Sequence, residues 1–176
     1  KYPMVKNPAR GFLATANNKN VNDYPYDING TYAPSYRYQS IARLLRGQKG
    51  IDVEYMKKAQ TDTHTVLAKK IVDVARKHVR LDAKDEAAKK AYEMLLAWDG
   101  NSAIDSTGAS IYNTFYVRFA YQTLVDELGE EVASEYIAER YISMERFLDM
   151  VEKGSVFFDD VRPPEKEDIA AIALRS

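Results

Sequence analysis

The sequence predicts a mainly α protein in which a helical body follows a short irregular or extended N-terminal segment. Two observations support this fold class. Up to residue 35, proline, glycine and asparagine recur so closely that a long helix cannot persist. From residue 36 onward, apolar residues recur at three- and four-residue steps, which places them on one face of a helix. We therefore divide the chain into residues 1–35 and 36–176.

The N-terminal part contains one short apolar run. Residues 11–16 (Gly-Phe-Leu-Ala-Thr-Ala) are mostly apolar, and the polar run Asn-Asn-Lys-Asn follows at 17–20. A change of this kind is typical of a strand that leads into a loop. We expect a strand at 11–16 and a loop after it.

The helical part is divided by capping residues and glycines. Asp52 is placed to act as an N-cap, and Gly47, Gly129 and Gly154 each follow an apolar-periodic run. The dipeptide at 163–164, Pro-Pro, fits the start of a last helix. The pattern predicts helices at residues 36–46, from the Asp52 cap to 78, at 85–98, 109–128 and 130–153, and from about 165 onward.

Composition excludes several classes of function. Lys and Arg number 25 and Asp and Glu 26, so the near-neutral charge gives no case for binding nucleic acid. No run approaches the roughly 20 apolar residues of a membrane span. The absence of cysteine excludes disulfide and thiolate chemistry but leaves the compartment undecided. The two histidines, both expected within one helix, argue against a Ser-His-Asp triad.

Several short motifs follow one another along nearly the whole chain in an order that resembles the penicillin amidases. That family includes acyl-homoserine-lactone acylases and cephalosporin acylases. Each motif alone is short, and the resemblance rests on their shared order and spacing. The motifs are Thr15-Ala16-Asn17-Asn18, Asp23-Tyr24-Pro25, Tyr36-Arg37, Ile41-Ala42-Arg43-Leu44-Leu45, Gln60-Thr61-Asp62, Leu96-Ala97-Trp98-Asp99-Gly100, and Phe158-Asp159-Asp160 with Pro163-Pro164.

The resemblance implies a parent enzyme that hydrolyses a linear amide bond in a small molecule. The parent is expected to be an αββα N-terminal-nucleophile hydrolase, cut from one precursor into a small α chain and a large β chain that begins with Ser. This sequence resembles an internal piece of that β chain, excised from one larger catalytic domain. It begins with Lys1, so its partners are expected to be the small α chain and the remainder of the β chain, which carries the nucleophile. The isolated piece is expected to be inactive.

The resemblance also assigns roles to individual residues. Asn17 is implied to donate its side-chain NH₂ to the oxyanion, and Arg37 to hold Asn17 and the nucleophile in place. Without the resemblance, Asn17 is an ordinary loop residue and Arg37 an exposed charge in a first helical turn. Asp27 is a weaker candidate, for a structural calcium in the parent, because its match needs a one-residue gap. The chemistry itself requires no cofactor.

A second hypothesis is that the chain is a helical interaction module, or an inactive homologue without catalysis. Aromatic residues on 109–128 and 136–150 would then form a partner groove or a face for self-association. Localisation follows only by analogy with the family, as periplasmic or extracellular, with the cytoplasm as the alternative.

Overall fold

The computed structural model of the chain describes residues 3–21, 24–26, 28, 30–81 and 84–158. Within these ranges the chain is helical and forms no strand, which confirms the mainly α fold class. Contacts divide it into two compact units, Lys1–Val66 and Leu67–Ser176. The helices are α1 (Tyr36–Leu45), α2 (Val53–Gln60), α3 (Leu67–His78), α4 (Glu86–Ala97), α5 (Thr107–Ala138) and α6 (Arg140–Lys153), followed by the 3-10 helix η1 (Val156–Phe158).

The strand expected at residues 11–16 is wrong for this structure. A strand needs a neighbour to complete its ladder of backbone hydrogen bonds, and no neighbouring strand occurs in the described part of the chain. Side chains bond to this backbone instead. Arg10 Nε donates to the carbonyl of Phe12 at 2.9 Å, and Asn18 Oδ1 accepts from the amide of Ala16 at 3.0 Å. The segment is therefore irregular.

In the N-terminal unit, α1 contacts α2 and the residues just after it. Arg43 Nη2 lies 2.5 Å from Asp62 Oδ2, and the Tyr55 hydroxyl donates to the carbonyl of Leu44 at 2.5 Å. Asp52 Oδ1 accepts from the amide of Tyr55 at 2.8 Å, which confirms the predicted N-cap of α2. These contacts fix the helix that carries Arg37.

The single helix predicted from Asp52 to residue 78 is wrong, because it is broken between Gln60 and Leu67. The intervening run Thr-Asp-Thr-His-Thr-Val contains five β-branched or short polar residues, which are poor helix formers. The Thr61 hydroxyl donates to the carbonyl of Lys57 at 3.2 Å, a local bond of the kind that competes with continued helix. Asp62 and His64 therefore lie outside any helix.

The C-terminal unit packs α3, α4 and α6 against α5 around an aromatic core. Phe119 is fully buried and Phe147 almost so. Their ring centroids lie 5.0 Å apart with an interplanar angle of 87°, and the Phe115 ring stacks on Phe119 at 5.5 Å. Edge-to-face and offset-stacked pairs add to the stability from area burial alone. Phe158 of η1 extends the cluster, with its centroid 6.4 Å from that of Phe119.

The long helix α5 is interrupted at Gly129, where φ is 75° and ψ is 163°. This confirms the predicted stop at Gly129, because a residue with a side chain rarely adopts positive φ. The helix predicted for 130–153 is itself divided at Glu139, so that α6 begins at Arg140. Gly154, with φ 77°, ends α6 as predicted. The helix expected from about residue 165 lies outside the described residues.

The start of α5 approaches Trp98 closely. A Cβ atom added at Gly108 would lie 2.5 Å from Cδ1 of Trp98, so a larger residue would displace the indole. The indole is held on two further sides: Nε1 donates to the carbonyl of Asn101 at 2.9 Å, and the ring lies 4.7 Å from that of Tyr112. Asp99 Oδ1 accepts from the amide of Asn101 at 2.8 Å, a local bond within the turn after α4.

The C-terminal unit also carries exposed ion pairs. Lys70 of α3 lies 3.1 Å from Glu152 of α6, and Lys153 lies 2.9 Å from Asp149 one turn earlier. The hydrogen bond from Lys153 lowers the pKa of Asp149 below its ordinary value. Exposed pairs of this kind contribute little to stability, so the aromatic core dominates. In the described ranges, no helix has the length and apolar character needed to cross a membrane.

Candidate active site

Asn17 and Arg37 are in direct contact in the N-terminal unit. Arg37 lies in the first turn of α1, twenty positions after Asn17 in the sequence. Its Nη2 atom donates to Oδ1 of Asn17 at 2.8 Å and to the carbonyl of Ala16 at 2.9 Å. The structure therefore brings together the two residues that the motif order singled out, while their catalytic roles stay predictions.

The contact fixes the orientation of the Asn17 amide. A guanidinium can only donate, so the atom it meets must be the amide oxygen and the other end must be the NH₂. Asn17 is exposed, and within the described residues nothing accepts a hydrogen bond from its Nδ2 atom. Two N–H bonds are thus held in a defined direction and remain available to an acceptor.

The backbone of Asn17 is left-handed, with φ 62°. Asn adopts this region more readily than most residues, yet residues other than glycine occupy it rarely. The Asn17 carbonyl accepts from the amide of Ala33 at 2.8 Å, and Arg37 binds the preceding carbonyl. Backbone strain of about 1 kcal/mol persists only where neighbouring bonds enforce it, and such positions cluster at functional sites.

An amide NH₂ held in this way can donate hydrogen bonds to an oxygen atom. The model of the family described as penicillin amidase matches residues 1–176. This chain belongs to the penicillin amidase family. Similar proteins include the acyl-homoserine lactone acylase QuiP of Pseudomonas aeruginosa, 29% identical over 192 residues, and the proteins of that name from Pseudomonas fluorescens strain Pf0-1 (31% over 191) and Pseudomonas syringae pv. syringae (30% over 192). Each alignment covers 99% of this chain and 23% of the relative.

Asp27, the weaker candidate for a calcium ligand, lies outside the described residues, as does Asp23. Among the residues that are described, no group of three or more His, Asp or Glu side chains is placed to hold a metal ion. The calcium expectation for the parent therefore stays a prediction.

Sequence reasoning missed two side chains that shape this penicillin amidase loop. Asn18 is buried and bonds to the backbone on both sides of Asn17. Arg10 lies over the Phe12 ring at 5.3 Å and donates to the Tyr38 hydroxyl at 2.6 Å, next to Arg37. The Asn-Asn pair was the sequence feature that could have pointed to Asn18, but a polar run does not reveal which of its residues is buried. Nothing in the sequence pointed to Arg10.

Proposed function

We propose that the protein containing this chain hydrolyses a linear amide bond, with Asn17 donating hydrogen bonds to the tetrahedral oxyanion. The observation that carries the proposal is the 2.8 Å bond from Arg37 to Asn17 Oδ1, which turns the amide NH₂ away from the guanidinium. As a nucleophile adds to an amide carbon, its oxygen gains charge, and a donor aimed there in advance contributes about 3 kcal/mol.

Arg37 strengthens this donor in two ways. Its positive charge lies against the amide oxygen and polarises the group, so that the NH₂ hydrogens become more positive. The second bond, to the carbonyl of Ala16, fixes the guanidinium to the loop that it orients. The donor consequently needs little reorganisation when the substrate oxygen becomes charged.

The nucleophile is proposed to be an N-terminal Ser from a part of the β chain outside this sequence. Its Oγ attacks the amide carbon and its proton passes to the α-amine, which then protonates the departing amine as the C–N bond breaks. Water next attacks the resulting ester, which releases the acid and restores the Ser. The remainder of the β chain and the small α chain are the partners that this chemistry requires.

For the substrate, we propose an N-acyl homoserine lactone. Proteins named acyl-homoserine lactone acylase align with 99% of this chain. Such a molecule joins a fatty acyl group to an amine through one linear amide bond, and hydrolysis would release the fatty acid and homoserine lactone.

The test uses the full gene that encodes this chain. Intact mass and N-terminal sequencing should find two chains, the larger beginning with Ser and containing Asn17. Incubation with N-acyl homoserine lactones of several acyl lengths, followed by mass spectrometry, should detect the free fatty acid. A single uncut chain that releases no acid from these lactones or from phenylacetyl amides would overturn the proposal in favour of the helical interaction module.

Replacement of Arg37 by methionine should lower kcat roughly ten- to hundredfold and change KM by less than about twofold, because it removes orientation and not binding. Arg37→Lys keeps the charge but not the planar fork, so it should recover part of the loss. The matched control is Arg46→Met, an exposed arginine just after α1, which should stay within about twofold of the parent kcat. Equal losses for Arg37→Met and Arg46→Met would contradict the role of Arg37.

A further inference from the structure

Asn18 is a buried polar residue in an otherwise exposed run. The residue is 7% exposed, whereas Asn17, Lys19 and Asn20 are all exposed. Apart from two tyrosines, the only polar residues buried in the described ranges are Asn18 and Thr123. Burial of an amide is favourable only when its polar atoms are bonded, so the partners of Asn18 define what it does.

The Asn18 amide links the backbone before Asn17 to the backbone after it. Its Oδ1 atom accepts from the amide of Ala16 at 3.0 Å. Its Nδ2 atom donates to the carbonyl of Lys19 at 3.1 Å and to Asn20 Oδ1 at 3.3 Å. Asn20 Nδ2 in turn donates to Thr15 Oγ1 at 3.3 Å, so the loop is closed by side chains on both sides of Asn17.

We infer that Asn18 is a positioning residue that enforces the left-handed backbone of Asn17. The inference rests on the proposed function, since it concerns the aim of the oxyanion donor. Residue 17 lies at φ 62°, and the residue before it, Ala16, is held at both of its backbone polar groups: its carbonyl by Arg37 and its amide by Asn18. Arg37 orients the side chain of Asn17, and Asn18 orients the backbone from which that side chain projects.

Loss of the Asn18 amide has a defined consequence. The amide of Ala16, a buried residue, would lose its acceptor, and residue 17 would be free to relax toward the more populated regions of negative φ. Because Cβ of residue 17 moves with φ, the NH₂ would leave its position. A displacement of about 1 Å at a reacting centre costs on the order of a hundredfold in rate.

A double-mutant cycle tests this in the full-length protein, with kcat expressed per matured chain as counted by intact mass. Asn18→Leu keeps the number of side-chain heavy atoms and the branch at Cγ but removes the hydrogen-bonding groups. It should lower kcat by roughly ten- to hundredfold with KM within about twofold. In an Asn17→Gly background, where no donor is left to aim, the same change should lower kcat less than about twofold. The control Thr123→Val removes a second buried polar group, a hydroxyl that donates to the carbonyl of Phe119 at 2.8 Å, and should leave kcat within about twofold.

The outcomes separate the two proposals. An equal loss from Asn18→Leu in both backgrounds would mean a general structural role and would overturn the inference alone. An Asn17→Gly variant with nearly unchanged kcat would overturn the proposed function instead. If Asn18→Leu does not mature, Asn18→Ser takes its place in the same cycle, because its short hydroxyl cannot link both sides of Asn17. Full kcat in a matured Asn18→Ser variant would also overturn the inference.

Discussion

Replacing Asn17 by glycine is expected to lower kcat about 10²- to 10³-fold while KM stays within about threefold. Glycine adopts φ 62° without strain, so the change deletes the amide and leaves the loop conformation intact. The lost interaction forms fully only when the substrate oxygen is charged, which is why kcat should fall and substrate binding should not. Initial rates across substrate concentrations, per matured chain, measure both constants.

Two further variants define the cause of that loss. Asn17→Asp still accepts the bond from Arg37 but offers no donor, and its carboxylate would repel the oxyanion, so it should be no more active than Asn17→Gly. Asn7 is the matched control, because it is the other described non-glycine residue with positive φ, at 48°, and it lies outside the site. Asn7→Ala should keep kcat within about twofold. Comparable activity in Asn17→Asp and the parent would contradict a donor role.

Truncation of Phe119 to alanine is expected to lower the free energy of unfolding by about 3–5 kcal/mol. Its side chain is 0% exposed and meets the rings of Phe115, Phe147 and Phe158, so the deletion leaves a cavity surrounded by groups that cannot all move inward. Thermal unfolding of the full-length protein, monitored by circular dichroism, measures the loss of stability. Limited proteolysis, scored by cleavage within residues 67–158, shows whether the loss lies in this unit.

Val117→Ala provides the comparison for Phe119→Ala, since Val117 lies on the same helix and is 40% exposed. A surface truncation of that kind should change stability by no more than about 0.5 kcal/mol. Similar shifts for the two variants would mean that Phe119 does not anchor the core.

Local chemistry explains which parts of the fold were predictable. Asp52 and Gly154 mark helix ends by interactions with their immediate neighbours, so the sequence alone was sufficient there. The break after Gln60 had a signal in the threonine-rich run, but the apolar periodicity across it outweighed that signal. The break at Glu139 lies among good helix formers, and no local feature of the sequence predicts it.

The candidate site was harder to predict than the helix ends, because its contacts join residues that are distant in the sequence. A contact between Asn17 and Arg37 spans twenty positions, so no local rule yields it and only the order of the family motifs suggested it. Burial of Asn18 depends on how the loop folds back on itself, because residues 17–20 are polar throughout and three of the four are asparagine. The left-handed backbone was not predictable either, since Asn permits that conformation without requiring it.

The interruption of α5 at Gly129 has a consequence for hydrogen exchange. An unbroken helix propagates its amide protection along the whole backbone ladder, whereas a residue at φ 75° and ψ 163° ends one ladder and starts another. Before the break, the helix contributes Phe115, Tyr116 and Phe119 to the core, and after it only Ala133 is buried among residues 130–138. We therefore expect the second stretch to open by itself, so that its amides exchange through local fluctuations, whereas amides of the first stretch exchange only on global unfolding.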